Sequence, residues 1–462
     1  QLVDWMADYL ENIEQLPVKS QVQPRDVFQQ LPSSAPEEGE TFESIFQDFQ
    51  QIILPGMTHW QHPSFFSYFS ANNSHPSILA EMLMATMGAQ CMIWETSPAA
   101  AELEEKMMDW LKEWMGLPRE WAGVIQDTAS TATLCALLTA REKFSDYQIN
   151  QSGFGEEKFT VYCSSETHSS IEKGVKIAGL GSQRLRKIPV DENYALVPEK
   201  LEAQIAEDIR AGYQPLAVIA TVGTTGSTGV DPVRPIGEIC KKYHIFYHVD
   251  AAYAGTAAIL EEKRWILDGI ELADAYLFNP HKWMFTNFDC TAYFVKDSEA
   301  LERTFSILPE YLKTQQKGAV NNYRDWGIQL GRRFRALKLW FVMRSFGRKG
   351  IQDKIRSHIY LAQNLKSKIE SHPDFEMLAP LEFNLLCFRY HPSGPNNEEA
   401  LDQLNQQLLE VINSSGQAYI SHTRLRGKYT LRVAIGQTEV SEKQVQNFWD
   451  LLLQEAQKLV RS

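Results

Sequence analysis

Between residues 159 and 297 the chain alternates short apolar runs with longer stretches of helical period. The runs are FTVYCSS (159–165), LAVIATVG (216–223), IFYHVDAA (245–252), AYLFNP (275–280) and CTAYFVKD (290–297). Several are apolar throughout rather than alternating, the pattern of strands buried on both faces of a mostly parallel sheet. Strand–helix alternation of this kind predicts a doubly wound α/β domain, with ligands at the carboxyl ends of its strands. Upstream, Leu103, Met107, Leu111 and Trp114 recur at helical spacing. Ser97-Pro98 reads as the N-cap and first position of that helix, and Gly116 then Pro118 as its stop.

The two ends of the chain read differently. Residues 1–75 are helical segments broken by prolines, with little core of their own, and are expected to pack on something else, such as another subunit. From about 340, EALDQLNQQLLEVINSSG and VSEKQVQNFWDLLLQEAQKLV read as helices, and QAYIS and YTLRVAIG as strands. The predicted organisation is an N-terminal helical, dimer-clamping segment (1–75), a large α/β domain (76–340) and a small C-terminal α+β domain (341–462).

Composition narrows the classes. A chain of 462 residues with 44% hydrophobic and 22% charged content is long enough for two or three domains with sizeable cores. The net charge of −13 argues against a nucleic acid or an anionic membrane as partner, since both need a basic face. No apolar run reaches the length of a membrane span. The start, QLVDWMADYLENIEQL, is amphipathic and acidic, unlike a signal peptide, and its lack of Met suggests that a few residues precede it. Six cysteines, at 91, 135, 163, 240, 290 and 387, lie far apart with no C-x-x-C pair. That favours reduced thiols and a cytoplasmic location, and offers no metal site.

Four features fall at expected strand ends. In QDTASTATLCALLTAR (126–141), small hydroxyl residues precede a helix, an arrangement that can bind a phosphate or simply cap the helix. SSETHSS puts His168 after a strand, where it is a structural or a catalytic residue. In HVDAAYAG, Asp250 ends an apolar strand, so it caps a helix or pairs with a cation. FNPHKW (278–283) sets Lys282 in apolar surroundings, where it either reaches out to water or has a lowered pKa. A neutral amine forms Schiff bases. Each alone has an ordinary structural explanation. Together they offer a phosphate cradle, a ring that can stack, a carboxylate and an imine-forming lysine, the set that pyridoxal phosphate needs. GTTGSTG (223–229) lacks the G-K-[ST] of a P-loop and the spacing of a dinucleotide fold, and no G-x-S-x-G marks a hydrolase elbow.

TASTATLCAL, THSSIEK, ATVGTTGSTGVD, HVDAAYAG, NPHKW, NYRDWGIQLGRRFRALKLWF and GMTHWQHPSFFSYFS resemble the group II pyridoxal-phosphate decarboxylases, most of all the aromatic-L-amino-acid decarboxylases, including bacterial members. The likeness runs from the first residues to about 440. It implies the type I fold of pyridoxal-phosphate enzymes (aspartate aminotransferase-like) and a homodimer with shared active sites. It implies Lys282 as the cofactor-linking lysine and Asp250 as partner of the pyridinium nitrogen. His168 and Ala252 would take the two ring faces, and Thr225 a ring-side contact. Ala129, Ser130, Asn279 and His281 would hold the phosphate. Trp60, Tyr68 and Phe69 match a substrate-pocket cluster, although Ser70-Ala71 stands where many members have Pro-Thr. Met92 stands where many members have an aromatic. Gly331 matches a position where glycine goes with indolic substrates in plant members.

The polar stretch 307–326 has no evident core face and reads as a mobile lid. Its Tyr311 matches the family's proton donor to Cα; relatives with phenylalanine there make aldehydes. The activity implied is decarboxylation of an aromatic L-amino acid (tryptophan, 5-hydroxytryptophan, dopa, tyrosine or phenylalanine) to its amine. The alternative is an aromatic acetaldehyde synthase. A glutamate decarboxylase fits poorly with the aromatic cluster, and a non-catalytic scaffold would be expected to lack the cofactor residues.

Overall fold

The computed structural model describes residues 2–307, 320–393 and 397–461. It divides into two compact units, one of residues 72–357 and one combining 1–71 with 358–462. The three-part division expected from the sequence is therefore drawn differently. The N-terminal segment joins the C-terminal region, and the boundary near 340 moves into the helical run Arg335–Ser371, which breaks at Gly347 (φ +62°).

The 72–357 unit holds a seven-stranded sheet. Its strands are β1 (Ala122–Gln126), β2 (Phe159–Ser164), β3 (Leu185–Ile188), β4 (Gln214–Thr221), β5 (Phe246–Asp250), β6 (Ala275–Phe278) and β7 (Thr291–Val295), in spatial order β1-β7-β6-β5-β4-β2-β3. β2, β3, β4, β5 and β6 pair in parallel, and β7 runs antiparallel to both β6 and β1. All five apolar runs are strands, and β2, β5, β6 and β7 are buried along their whole length. Helices on both faces leave no wet side, so alternation is lost. β1 and β3 were not foreseen. β3, LRKI, is mostly half-exposed and short, so its pattern carries little apolar signal.

The helix Pro98–Met115 ends at Gly116, whose φ of +72° is the left-handed stop expected of glycine. Its start differs from expectation: Ser97 makes no side-chain cap, and its Oγ donates instead to the Gln90 carbonyl. The helix Ala129–Phe144 presses Ala132, Cys135, Ala136 and Ala140 into the core against β4, β5 and β6. Small residues let its axis approach the sheet closely.

The second unit carries an antiparallel sheet of β8 (Phe375–Met377), β9 (Leu385–Tyr390), β10 (Ser421–Leu425) and β11 (Lys428–Ala434), in order β10-β11-β9-β8. The helices Glu398–Ser414 and Glu442–Arg461 bury Leu408, Ile412, Phe448 and Leu452 with it. QAYIS, expected as a strand, mostly precedes β10 and contributes only a bridge from Tyr419 to Phe65. The N-terminal segment packs here, within its own chain. Val18 donates to the Gly416 carbonyl at 2.9 Å, and Glu14 pairs with Lys443. Trp5 meets Phe46 and Phe49 edge-on at 5.6 and 5.3 Å, a small aromatic core of its own.

Candidate active site

The carboxyl edge of the parallel strands collects the chemistry. β5 ends at Asp250, which is buried. Its carboxylate accepts from the Ala252 N–H at 3.0 Å, and its backbone is pinned between β4 and β6. β6 ends at Phe278. Asn279, buried, then accepts from the Thr291 hydroxyl at 2.9 Å and leads into a four-residue helix, Pro280–Trp283, that carries Lys282.

Lys282 is partly buried, and burial lowers its pKa, with Asp250 pulling the other way. The amine therefore reaches its neutral, nucleophilic form more readily than a surface lysine. His168, the N-cap of the helix Ser169–Ile177, accepts the Ser170 N–H on Nδ1, which leaves the neutral ring's proton on Nε2. Burial and then Lys282 lower its pKa, while Asp250 raises it. His168, Asp250 and Lys282 thus sense one another electrostatically, so the structure brings together three residues scattered over 115 positions.

His281 is buried, and its Nδ1 accepts from the Cys290 N–H at 2.9 Å. Burial, then the neighbouring Lys282, push its pKa down to about 3, so it is a neutral hydrogen-bonding group at any ordinary pH. Ala129 and Ser130 open the helix Ala129–Phe144 behind the Thr128 cap, and Ser130 is exposed. Their position in the first turn leaves backbone N–H groups facing outward, as an anion site requires.

The loop after β4 carries Thr225, which is exposed. It closes as a tight turn in which Gly223 and Thr224 donate to the Gly229 carbonyl. Gly223 has φ +86°, and a Cβ there would lie 2.5 Å from that of Ala254, so only glycine fits.

The segments that carry Met92 and Gly331 also meet. Arg324 donates to the Met92 carbonyl at 2.9 Å, Cys91 to the Arg332 carbonyl at 3.0 Å, and Arg332 N–H to Gln90 Oε1 at 2.7 Å. A Cβ at 331 would press on Gln90 Nε2 at 3.3 Å, so glycine here leaves room beside that amide. In the other unit Trp60 stacks on Tyr68 (5.8 Å between centroids, 16° between planes), and Arg432 lies over Phe69 at 5.6 Å. Tyr311 lies outside the described residues. Of the stretch expected to be a lid, Tyr323 and Trp326 are core residues, which corrects the reading that 307–326 has no core face.

Some residues beside the quoted motifs were not singled out from the sequence. Asp127 sits at the mouth of the cradle and accepts from Gln329 at 3.1 Å. Asp231 is fully buried, accepts from the Thr221 and Leu196 N–H groups at 2.8 and 2.7 Å, and is pushed up to about 7 by burial. It ties the end of β4 to the loop that presents Thr225. Tyr419 meets Tyr68 through their hydroxyls at 3.4 Å. Both aspartates stand inside quoted motifs, so the signal was present; nothing in QAYIS marked Tyr419. Among the described residues no group of three potential ligands could hold a metal ion, and no helix is long and apolar enough to cross a membrane.

A desolvated amine, a buried carboxylate, an open imidazole and a helix N-terminus at one sheet edge match, group for group, the aldehyde, ring nitrogen, ring face and phosphate of pyridoxal phosphate. The donor set therefore fits that cofactor, and the fold and site define a pyridoxal-phosphate enzyme of fold type I. Residues 24–391 match the model of the pyridoxal-dependent decarboxylase conserved domain. The chain belongs to that family, a group of carboxy-lyases that use pyridoxal phosphate. It is 43% identical to a phenylacetaldehyde synthase of Arabidopsis thaliana, over 99% of this chain and 95% of the relative. It is 43% identical to tryptophan decarboxylase 2 of Oryza sativa subsp. japonica, over 99% and 94%. A crystal structure of Oryza sativa TDC with PLP and tryptamine superposes with a TM-score of 0.96 at 35% identity, over 99% of this chain and 96% of that one. These relatives are plant proteins, and the expectation of a bacterial member is not borne out.

Proposed function

We propose that the chain decarboxylates aromatic L-amino acids to the corresponding arylalkylamines and carbon dioxide. The observation that carries this is Lys282, desolvated at the sheet edge within electrostatic reach of Asp250 and His168. Pyridoxal phosphate, when bound, supplies the electron sink for the bond to the departing carboxylate. Lys282 would hold the cofactor through its amine. Asp250 would pair with the ring nitrogen, and the N–H of Ala252 steadies its carboxylate. His168 and Ala252 would take the two ring faces, and Thr225 would make a ring-side contact. Ala129 and Ser130, with Asn279 and the neutral His281, would hold the phosphate.

Trp60, Tyr68 and Phe69 are the proposed contacts for the substrate's ring, and Met92 and Gly331 are further proposed specificity residues. Met is adaptable and tolerates varied rings. Tyr311 would give the proton to Cα after carbon dioxide leaves. The test is a panel of tryptophan, 5-hydroxytryptophan, dopa, tyrosine, phenylalanine and glutamate, scored for amine and carbon dioxide; turnover of glutamate alone would sink the reading.

An aromatic acetaldehyde synthase is the second reading, favoured by the 43% identity to a protein of that name. Peroxide release separates the two. The wild type is expected to release amine without peroxide, and Tyr311→Phe to shift output toward aldehyde, ammonia and hydrogen peroxide, with dissolved dioxygen as the two-electron oxidant and water as the source of the carbonyl oxygen. An unchanged product mix in that variant would remove Tyr311 from the mechanism.

The same reading includes a homodimer in the cytoplasm. Leu79, Leu83 and Met87, four residues apart on the helix His75–Met87, are 55%, 47% and 54% exposed, an apolar stripe suited to a partner. In the N-terminal segment Phe42 and Ile45 are similarly open. Sedimentation equilibrium at micromolar concentration tests this, and a monomer mass would rule it out. The six cysteines are free thiols, in keeping with a reducing compartment.

A further inference from the structure

The helix that carries Lys282 has only four residues. A helix so short has little stiffness of its own. The chain then turns sharply at Phe285, whose φ of +53° is uncommon for a bulky residue. Two side chains from a distant segment grip both ends of this turn. Asn72, 1% exposed, donates its Nδ2 to the carbonyl of Lys282 itself at 2.6 Å. Ser74, also buried, donates its Oγ to the Phe285 carbonyl at 2.8 Å.

The gripping segment is itself rigid. Ser74 and Ser77 form a reciprocal capping box at the start of the helix His75–Met87, with Ser74 N–H to Ser77 Oγ at 3.0 Å. One turn further on, Glu81 accepts from Asn287 at 3.1 Å and from the buried Lys338 at 3.0 Å. Three side chains of one segment, Asn72, Ser74 and Glu81, therefore hold residues 282, 285 and 287.

We propose that Asn72 is a positioning residue for Lys282, with Ser74 as its companion. A lysine side chain has four rotatable bonds, so its amine can be aimed only if its own backbone is fixed. A hydrogen bond to the lysine's carbonyl fixes that peptide plane at the residue where the chemistry happens. This rests on Lys282 being the cofactor-linking amine.

The test uses holoenzyme carrying Asn72→Ala or Asn72→Asp; the latter keeps the shape but has no N–H to give. In each, the release rate of bound cofactor, followed by its visible absorbance after removal of free cofactor, is expected to rise about tenfold, the scale of one lost buried hydrogen bond. kcat is expected to fall by a similar factor, with KM for the amino acid little changed. Wild-type release and kcat in folded Asn72→Ala would overturn the proposal, even if the melting point drops, because that pattern marks a merely structural residue. Should Asn72→Ala not fold, Ser74→Ala frees the other end of the turn, and unchanged release and kcat there would overturn it equally. Lys282→Ala separates the two levels. If it keeps the absorbance, the reading of Lys282 fails; if it loses the absorbance while the Asn72 variants match wild type, only the clamp fails.

Discussion

Lys282 shows how a residue's surroundings choose its chemistry. In water an ammonium at neutral pH is no nucleophile; desolvation disfavours the charge, and Asp250 partly restores it. Lys282→Ala is expected to abolish the visible absorbance of bound cofactor and to cut turnover to below about a thousandth, the scale of losing a central acid–base group. Retention of both the band and turnover would disprove its role. FNPHKW already placed a lysine where burial would be costly, and HVDAAYAG placed its carboxylate partner, so both were legible. Asn72 was not, because an asparagine inside a polar SANNSH stretch carries no pattern; its meaning lies in a carbonyl 210 residues away.

Elements decide how rigidly these residues are presented. The turn after β4 depends on Gly223, where positive φ and the Ala254 methyl both exclude a side chain. Gly223→Ala is expected to destabilise the fold by about 1–3 kcal/mol through strain and overpacking. It should also weaken cofactor retention, because Thr225 rides on that turn. Thermal denaturation and cofactor titration check this, and a wild-type melting point would show that the turn relaxes at no cost. Strands buried on both faces were readable as apolar runs. β3 and β10 were not, since a half-exposed edge strand of four or five residues has neither a run nor a clean alternation.

At the scale of the whole molecule, burial of neutral histidines sets a response to acid. His62 and His248 are pushed down to about 4, and His281 to about 3, in each case chiefly by burial. The unfolded chain binds these protons below about 6.5, whereas the folded chain does not until far lower, so unfolding takes up protons. Stability is therefore lost as pH falls from about 6.5 toward 4. Asp231 works the other way: held protonated up to about 7 when folded, it adds stability as pH falls from 7 toward 4. Three groups outweigh one, so the holoenzyme's melting point is expected to fall between pH 6.5 and 5. A melting point that climbs over that window would contradict the assignment of these histidines as buried and neutral.

By itself the sequence determined the mostly parallel α/β class, the five apolar strands of the large sheet and the four motifs proposed for the cofactor site, because apolar runs and strand-end residues are local signals. Tertiary structure alone decided which region the N-terminal helices join, that Met92 and Gly331 share one hydrogen-bonded corner, and that Asn72 holds the carbonyl of Lys282. These are contacts between residues up to several hundred positions apart. Their free energy comes from burial and hydrogen bonding that exist only once the sheet has closed, so no window of sequence contains them.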